Sequence, residues 1–458
     1  MPQALAFGRP SLTATGQAQQ SGSDFNRDGG RFYQGAVNFN QSLYRGGRTR
    51  SATSAAENRI LAARARLRAV EDNVLLGVVT AYADVLRFGQ TVELNANQVK
   101  VLERELQASR DRFEVGDLTR TDVAQSEARL ANAQSNLVVA RGQLTTAQNA
   151  YSRVVGRPPV ALAPLPPLPV LPGTLGQATD LANANNPSLV AARFDEAAAR
   201  YDVSTIERQR LPSLTAGAGV NYTYSQAGAS GFTTTGTGGT GTGGTGTTGT
   251  GGTGTTGTGG SGTGGSSVVG GNFHALQQTV GLSLSVPLYQ QGLNGSQIRA
   301  AQAVRSQFME QIGFIGRQSV ETASNAFVSV STARAVIAAS ESSVRANTLA
   351  LEGVTQENQV GTRTVLEVLN AQQELVVARV NLAAARRDEY VAGYTLLAAV
   401  GEAEAGPLAV PGEHYDSTAN AARVRRKWSD YDTGPNPPAL PLPDPVRAST
   451  PAAIGPQQ

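Results

Sequence analysis

The sequence of 458 residues contains no cysteine, which excludes disulfide bonds and metal sites with cysteine ligands. Aromatic residues make up only 5% of the chain, with a single tryptophan, so a large conventional globular core would be hard to fill. Lysine and arginine (38) nearly balance aspartate and glutamate (35), so no nucleic-acid partner is expected. No run of about 18 apolar residues is present, and insertion into a membrane would therefore have to use β-strands.

The residue patterns of an enzyme are also missing. His274 and His414 are the only histidines, and neither belongs to a metal-ligand spacing. The sequence contains no nucleophile triad and no phosphate-binding loop, because its GTGGTG fragments belong to a low-complexity run rather than to a strand–turn–helix unit. We therefore expect no enzymatic activity, no cofactor and no bound metal.

What the sequence does contain is an internal repeat. Three pairs of glycines lie 245 residues apart, namely Gly47 and Gly292, Gly116 and Gly361, and Gly156 and Gly401. The register holds without a gap between them, since Leu130 recurs as Leu375 and Arg141 as Arg386. We conclude that the chain consists of two copies of one unit.

Each copy begins with two segments in which apolar residues alternate with small or polar ones. The pattern is clearest in SLTAGAGVNYTY (213–224) and TVGLSLSVPLY (279–289), and it recurs more weakly around residues 12–18 and 37–43. Each segment is near the roughly 9–11 residues that a tilted strand needs to cross a membrane. A half-buried sheet in a soluble protein would alternate in the same way, so the strands alone leave both interpretations open.

The remainder of each copy repeats every seven residues, as in a coiled coil. Large apolar residues form the seams Val78, Val85, Val92, Val99, Leu106 and Phe113; Val123, Leu130, Leu137, Leu144 and Tyr151; Val330, Ile337, Val344 and Leu351; and Val368, Leu375, Leu382 and Leu396. Small residues run beside them, at Ala371, Ala378, Ala385, Ala392 and Ala399, and at Ser126, Ala133, Ala140, Ala147 and Val154. Such pairing of large and small positions allows helices to pack closely. A helix from Gly47 to Glu114 would be roughly 100 Å long, which no globular domain needs.

The turns of the two predicted hairpins have the residues that such turns require. Gly116 and Gly361 can end one helix in the left-handed conformation. The returning helix can be capped by a threonine, with the candidates Thr119 or Thr121 in the first copy and Thr362 or Thr364 in the second.

The sequence therefore predicts seven segments: a first β-hairpin with an incomplete N-terminus (1–45), a first long helical hairpin (46–156), a proline-rich strap (157–174), a helix leading into the second repeat (175–211), a second β-hairpin with a disordered Gly/Thr loop at 233–267 (212–290), a second long helical hairpin (291–401), and a disordered tail (402–458). Copy one starts only at GRPSL (8–12), without the helix that precedes the strand in copy two. Met1–Pro10 also lacks the features of a signal peptide. We therefore expect the natural reading frame to begin upstream of Met1.

The number of strands sets the predicted assembly. Four membrane-length strands cannot close a barrel, because about eight is the smallest number that does, and open edges are not tolerated in lipid. The subunit must then share its sheet with copies of itself. The predicted fold is mainly α with membrane β: a trimeric 12-stranded β-barrel, with four strands per subunit, continued by a long α-helical coiled-coil barrel.

The two hairpin sequences carry a family resemblance. RFEVGDLTRTDVAQSEARLANAQSNLVVARGQLTTAQNAYSRVVG (112–156) and NQVGTRTVLEVLNAQQELVVARVNLAAARRDEYVAGYTLLAAVG (358–401) resemble the paired signature hairpins of the TolC family, the outer-membrane exit ducts for type I secretion and multidrug efflux. The resemblance extends over about residues 10–401. It implies a homotrimer in the outer membrane of a Gram-negative cell, with most of its mass in the periplasm. Its implied partners are outer-membrane lipid, a periplasmic adaptor (membrane fusion protein), and an inner-membrane ABC or proton-driven transporter.

The resemblance also implies a cargo. The tail EHYDSTANAARVRRKW (413–428) is similar to tails in the type I secretion subgroup, which favours secreted protein as the substrate. Efflux of drugs or other small molecules is the second choice.

Two other classes of protein have coiled-coil hairpins. A periplasmic adaptor would carry one hairpin beside a lipoyl-like domain, and a structural coiled-coil protein would lack membrane-length strands.

The same resemblance assigns residues to the periplasmic aperture. The family's tip arginine and aspartate fall on Arg363 and Asp122, its two constriction aspartates on Glu367 and Asn370, and its gating tyrosine on Asn358. Because only the first two match in type, the ion-pair latch and the block by divalent cations are expected to be weaker here. Three Glu367 carboxylates around one axis would form an anionic ring that favours cations. The alternative is that Glu367 is a solvated glutamate on a helix face.

The hairpin tips VGDLT (115–119) and VGTRT (360–364) match the segments that contact the adaptor in the family. The docking candidates are therefore Val115, Gly116, Leu118, Thr119, Val360, Gly361 and Thr364. The same residue types also form ordinary turns, and the two roles are compatible.

Overall fold

The structure is a computed structural model that describes residues 2–21, 30–116, 119–226 and 272–403, together with a few isolated positions between 416 and 424. Its elements in chain order are α1 (Pro2–Ala6), β1 (Ser11–Ser21), β2 (Gly30–Tyr44), α2 (Arg48–Glu114), α3 (Arg120–Val155), α4 (Leu175–Asn185), α5 (Pro187–Glu207), β3 (Ser213–Gln226), β4 (Asn272–Ser285), α6 (Leu293–Gln359) and α7 (Val365–Val400). A short 3₁₀ turn, Arg208–Arg210, follows α5. The chain divides into a sheet unit (Gln3–Ser51 and Thr205–Ser296) and a helical unit built from the long helices. The predicted Gly/Thr loop and almost all of the predicted tail lie outside the described residues.

The sheet unit contains one antiparallel sheet in the order β1-β2-β3-β4. The pairing of β2 with β3 joins the two repeats, with Val37 opposite Val220. Apolar side chains share one face as the alternation predicted, and they are strongly exposed in the single chain; Val280, for example, is 90% exposed. Strands β1 and β4 form the two edges of the sheet and have no further strand beside them among the described residues. The face and the edges are the features that bear on function.

Two predicted boundaries in the sheet unit are wrong. Strand β4 ends at Ser285, whereas the sequence pattern extended it to Tyr289; Pro287 has no N–H to donate to a neighbouring strand. The sequence also predicted no helix before the first strand, whereas the five-residue helix α1 (Pro2–Ala6) precedes β1. Proline is favoured in the first turn of a helix, and the alanines that follow are strong helix formers.

The long helices agree with the prediction from the heptads. Helices α2 and α6 each contain 67 residues, and α3 and α7 each contain 36. The bounds of the second hairpin are those of the first displaced by 245 residues. The alanine ladder is largely buried, as the exposures of Ala140, Ala385 and Ala399 show. Within the described part of the chain, no helix is long and apolar enough to span a bilayer.

The proline-rich strap between the repeats forms no helix or strand and packs on the helical unit. Its Leu168 lies over α7, where a Cβ added at Gly393 would come within 2.8 Å of the leucine side chain. The Tyr82 hydroxyl of α2 donates a hydrogen bond of 2.6 Å to the carbonyl of Ala163. The strap therefore contacts both a first-repeat and a second-repeat helix.

Candidate functional site

The two hairpin tips are built in the same way. Gly116 and Gly361 have φ angles of 84° and 81°, the left-handed conformation in which glycine is favoured. Thr119 and Thr364 cap the returning helices, and each forms a reciprocal capping box with the acidic residue three positions later. The cap of the first tip is thus Thr119 rather than Thr121, and the cap of the second tip is Thr364 rather than Thr362.

The first-copy tip commits its aspartate to its own cap. Asp122 Oδ2 accepts hydrogen bonds from the Thr119 amide (3.0 Å) and the Thr119 hydroxyl (2.7 Å). The hydroxyl bond, and then the amide bond, hold the pKa of the Asp122 carboxyl below its ordinary value. Within the described residues of the chain, no bond joins Asp122 to Arg363. An ion-pair latch between these two residues is therefore not formed within the single chain.

The second-copy tip carries a small charged network. Arg363 Nε donates to Glu357 Oε2 at 2.8 Å, and Arg363 Nη1 donates to Glu367 Oε1 at 3.2 Å. The Asn358 side-chain amide donates to the Arg363 carbonyl at 2.8 Å. The network unites three of the predicted aperture residues, Asn358, Arg363 and Glu367, with Glu357, which no motif in the sequence indicated.

Electrostatics reinforces this network. The Thr364 backbone amide, and then Arg363, lower the pKa of Glu367. The bonds to Glu357, and then to Glu367, raise the pKa of Arg363. All three side chains are close to half exposed, so solvent screens the ion pairs and they contribute little stability. The three side chains of the network carry one net negative charge per chain, from two carboxylates and one guanidinium.

Acidification is expected to loosen both tips. The pKa values of Asp122 and Glu367 are lowered by bonds that exist only in the folded tips. The resulting stabilisation is complete above the ordinary carboxyl values of 3.8 and 4.5, and it is lost as the pH falls through the lowered values. Hydrogen exchange corrected for intrinsic rates should therefore show the tip peptides losing protection on acidification before the helix centres do.

The variant Thr364→Val provides the control for this experiment. It lacks the hydroxyl that caps α7, so its second tip should be poorly protected at neutral pH while the first tip behaves as in the wild type. If hydrogen-exchange protection has the same pH dependence at the tips and at the helix centres, the prediction is contradicted.

The two hairpins are joined just above the tips by a residue that sequence reasoning missed. Arg129 of α3 donates to Asn370 Oδ1 at 2.6 Å and to Gln373 Oε1 at 2.5 Å, both on α7. Asn370, a predicted constriction residue, is thus bonded to the other hairpin of its own chain. The position 245 residues after Arg129 is occupied by Glu374. This reversal of charge between the repeats is the sequence feature that could have indicated a specific role for Arg129.

The contact lies beside a cleft between α2, α3 and α7. The cleft has a volume of about 430 Å³ and is lined mostly by asparagine, glutamine and valine side chains. Beside it, Val99, Leu102, Ala133, Leu137 and Leu369 form a buried cluster that packs the first hairpin against α7. Farther along the same helices, Arg387 makes a two-point ion pair with Asp84, at 2.8 and 3.3 Å. The hairpins are therefore joined by two arginine contacts and an apolar cluster.

The predicted docking residues are distributed over both tips. Val115 and Val360 are 80% and 75% exposed, which is unusual for valine. Gly116 and Gly361 form the turns and Thr119 and Thr364 the caps, while Leu118 lies outside the described residues. The described residues include no group of three or more side chains suited to hold a metal ion.

Comparison with known proteins agrees with this architecture. The sequence model of the family described as "Outer membrane efflux protein" matches residues 4–157 and 178–402. The outer membrane efflux protein BepC of Brucella suis is 31% identical over 392 residues, which is 86% of this chain and 77% of BepC. The alkaline protease secretion protein AprF of Pseudomonas aeruginosa is 25% identical over 367 residues, which is 79% of this chain and 68% of AprF. The crystal structure of the outer membrane protein VceC of Vibrio cholerae has a TM-score of 0.64 at 20% identity, with 87% of this chain and 89% of VceC covered.

Proposed function

Because the chain belongs to the outer membrane efflux protein family, we propose that it is the exit duct of a tripartite export system. Members of this family are outer-membrane channels of Gram-negative bacteria and not enzymes. The proposed duct is a homotrimer. It receives its substrate from an inner-membrane transporter and a periplasmic adaptor and releases it outside the cell.

The main support for a trimer is the four-stranded sheet. Its edges β1 and β4 leave unpaired backbone groups, and its apolar face is exposed in the single chain. Unpaired edges are not tolerated in the hydrocarbon region of a membrane. Three copies joined edge to edge give twelve strands, which close into a barrel and bring the unpaired edges together.

Purification from outer-membrane fractions tests the proposal. We expect a trimer that survives semi-native electrophoresis until it is heated, and discrete channels when it is added to planar bilayers. A water-soluble monomer that produces no conductance in lipid would refute the duct.

For the cargo, we infer type I protein secretion first. The similarity to AprF, which is named for alkaline protease secretion, supports this choice together with the tail sequence at 413–428. Efflux of small molecules is the second candidate, because BepC is named an efflux protein and has the higher identity. Deletion of the gene separates the two. Loss of a polypeptide from the culture medium supports secretion, and increased drug susceptibility with unchanged secreted proteins supports efflux.

Adaptor docking is assigned to the two tips. Exposed valines beside a rigid turn, as at Val115 and Val360, offer apolar anchors to the tip of a partner hairpin. The matching construction of the two tips lets the same kind of partner segment engage each of them.

The aperture is proposed to carry a ring of Glu367 carboxylates, one from each subunit, that favours cations. Glu367→Gln should reduce the cation preference of single channels, because it removes the charge while an amide oxygen can still accept the Thr364 N–H. Glu367→Lys should shift the selectivity further toward anions. The measurement is the reversal potential across a salt gradient in planar bilayers. Selectivity that stays unchanged in both variants would contradict the ring and leave the duct itself intact.

A further inference from the structure

Five arginines meet at one corner of the sheet unit. Arg45 follows the last residue of β2, Arg48 and Arg50 lie in the first turn of α2, and Arg208 and Arg210 lie in the 3₁₀ turn before β3. We call these five residues the basic corner. Within residues 45–50 and 207–210, Glu207 is the only acidic residue, so these two segments together have a net charge of about +4.

Three arginines of the basic corner, Arg45, Arg48 and Arg208, donate hydrogen bonds to neutral groups. Arg48 Nε donates to the Arg45 carbonyl at 3.2 Å, and Arg208 Nη1 donates to the Gly47 carbonyl at 2.9 Å. Arg45 Nη1 donates to the Phe7 carbonyl at 3.1 Å, and its guanidinium lies 5.2 Å from the Phe7 ring. None of the five arginines forms an ion pair with a carboxylate in the described part of the chain. Burial, and then the neighbouring Arg45 charge, lower the pKa of Arg48.

The fold itself does not require these charges. The second repeat makes the same strand-to-helix corner, since α6 begins at Leu293, 245 residues after the start of α2 at Arg48. The residues there that correspond to Arg45 and Arg50 are Gln290 and Gly295, so that corner is built without arginine. Cations in the first turn of a helix are also disfavoured by the helix dipole. The basic corner is therefore maintained at some expense of local stability.

The position of the basic corner relative to the apolar face indicates what it contacts. Tyr44, 53% exposed and paired with Leu214, ends the apolar face on β2 immediately before Arg45. The opposite end carries an aromatic row, Tyr33, Tyr224 and His274, in which Tyr224 and His274 stack with ring centroids 5.9 Å apart. The eleven residue-to-residue steps from Tyr33 to Tyr44 extend about 37 Å along the strand. In a strand tilted by about 40°, this length corresponds to a height of about 28 Å across the membrane.

That height matches the apolar band of outer-membrane barrels, about 25 Å tall and flanked by aromatic residues. The basic corner then lies one residue beyond the edge of the hydrocarbon, at the depth of lipid headgroups. Arginine binds phosphate oxygens by paired, charge-assisted hydrogen bonds. We infer that the basic corner binds the phosphate groups of anionic phospholipids in the leaflet from which α2 leaves the sheet.

This inference goes beyond export and depends only on the placement of the sheet in a membrane. Each arginine near an anionic lipid surface increases binding about fivefold, and the effect weakens as salt is added. Phosphatidylglycerol has a net negative headgroup, whereas the headgroup of phosphatidylcholine is zwitterionic. A preference for phosphatidylglycerol over phosphatidylcholine with the same acyl chains is therefore the property to measure.

The test uses the full-length trimer reconstituted in phosphatidylcholine vesicles with spin-labelled phosphatidylglycerol or phosphatidylcholine. The double variant Arg50→Gln/Arg210→Gln is chosen because both side chains are exposed and neither makes a hydrogen bond to another described residue. The control, Arg141→Gln/Arg153→Gln, removes the same charge from exposed positions on α3. At low salt we expect the wild type and the control to prefer phosphatidylglycerol several-fold and the double variant to lose most of this preference.

Two results would overturn the inference: no headgroup preference in the wild type, or the same preference in the double variant. Inorganic phosphate at constant ionic strength provides a further arm. If it abolishes the preference, the corner is a site for free anions rather than for lipid. Single-channel conductance measured on the same trimers distinguishes this inference from the proposed duct, since the double variant should conduct as the wild type does.

Discussion

Replacing Gly401 with alanine is expected to destabilise the protein by about 3–5 kcal/mol, well above the backbone strain alone. Gly401 ends α7 with a φ of 77°, a conformation that alanine adopts only with strain. A Cβ at this position would also lie 2.5 Å from the carbonyl oxygen of Asn185 and 3.2 Å from Pro187 Cδ. The clash is with backbone, which cannot move aside as a flexible side chain can.

The crowding at Gly401 comes from the way the turn between α4 and α5 packs on the end of α7. The Asn186 side chain donates to the Ala399 carbonyl at 3.1 Å and accepts from the Ser188 amide at 3.0 Å. Below this turn, Ala182, Leu396 and Val400 are fully buried in the cluster shared by α4, α6 and α7. A displaced turn would therefore open part of the apolar core as well as break a cap.

The repeat supplies the matched control. Gly156 ends α3 with a φ of 80°, but nothing lies within 4 Å of the position that its Cβ would occupy. Gly156→Ala should therefore cost about 1–2 kcal/mol, the strain of the left-handed conformation alone. Asparagine tolerates the left-handed conformation, so Gly156→Asn should be close to the wild type while Gly401→Asn remains strongly destabilised by its Cβ. The measurement is the thermal midpoint of helical circular dichroism of the trimer in detergent.

Equal losses at the two glycines would show that backbone strain, and not the contact with Asn185, determines the effect. A near wild-type midpoint for Gly401→Asn would lead to the same conclusion. Either outcome would mean that the turn between α4 and α5 can move without cost.

The long helices could be predicted from the sequence because their signals are local and repeated. A seven-residue period such as the one from Val78 to Phe113 predicts both a helix and its buried side, and the 67-residue helices α2 and α6 confirm the predicted helices. Gly401 illustrates the limit of this reasoning. Sequence comparison pairs it with Gly156 as an equivalent helix end, whereas the contact that distinguishes them comes from a turn more than two hundred residues away.

The ends of the strands and the contacts of the site were harder to predict than the long helices. The alternation in β4 continues past Ser285, so only the missing N–H of Pro287 marks where pairing has to stop. At the tips, the glycines and capping threonines follow from turn chemistry, but Arg129 does not. Its partners are amides on another helix, and no heptad or capping rule links residue 129 to residue 370.

Arg129→Ala is expected to open the proposed duct. It removes the two hydrogen bonds that join α3 to Asn370 and Gln373, and bonds with one charged partner contribute about 1.5–3 kcal/mol each when buried. The guanidinium is partly exposed, so we expect a smaller loss of about 1–2 kcal/mol per subunit. The result should be more frequent or larger openings in planar bilayers and, in cells, greater sensitivity to antibiotics too large for ordinary porins.

Two matched variants make the experiment specific. Arg110→Ala breaks the 2.7 Å ion pair with Glu127, which lies within the first hairpin and joins nothing across to α7, so its conductance should remain that of the wild type. Asn370→Asp replaces the amide that accepts from Arg129 by a carboxylate, which forms the stronger, charge-assisted bond, and should lower the conductance.

The size of the expected effect follows from the proposed threefold symmetry. If the three subunits open together, a loss of about 1–2 kcal/mol in each one shifts the closed-to-open equilibrium by about 3–6 kcal/mol, or roughly a hundred to ten thousand times. A shift of this size should be visible in single-channel records as a higher open probability. Should Arg129→Ala and Arg110→Ala conduct alike, the contact between the hairpins does not control the aperture. The apolar cluster around Leu102 and Leu369, together with the Arg387–Asp84 pair, would then be what holds α7 against the first hairpin.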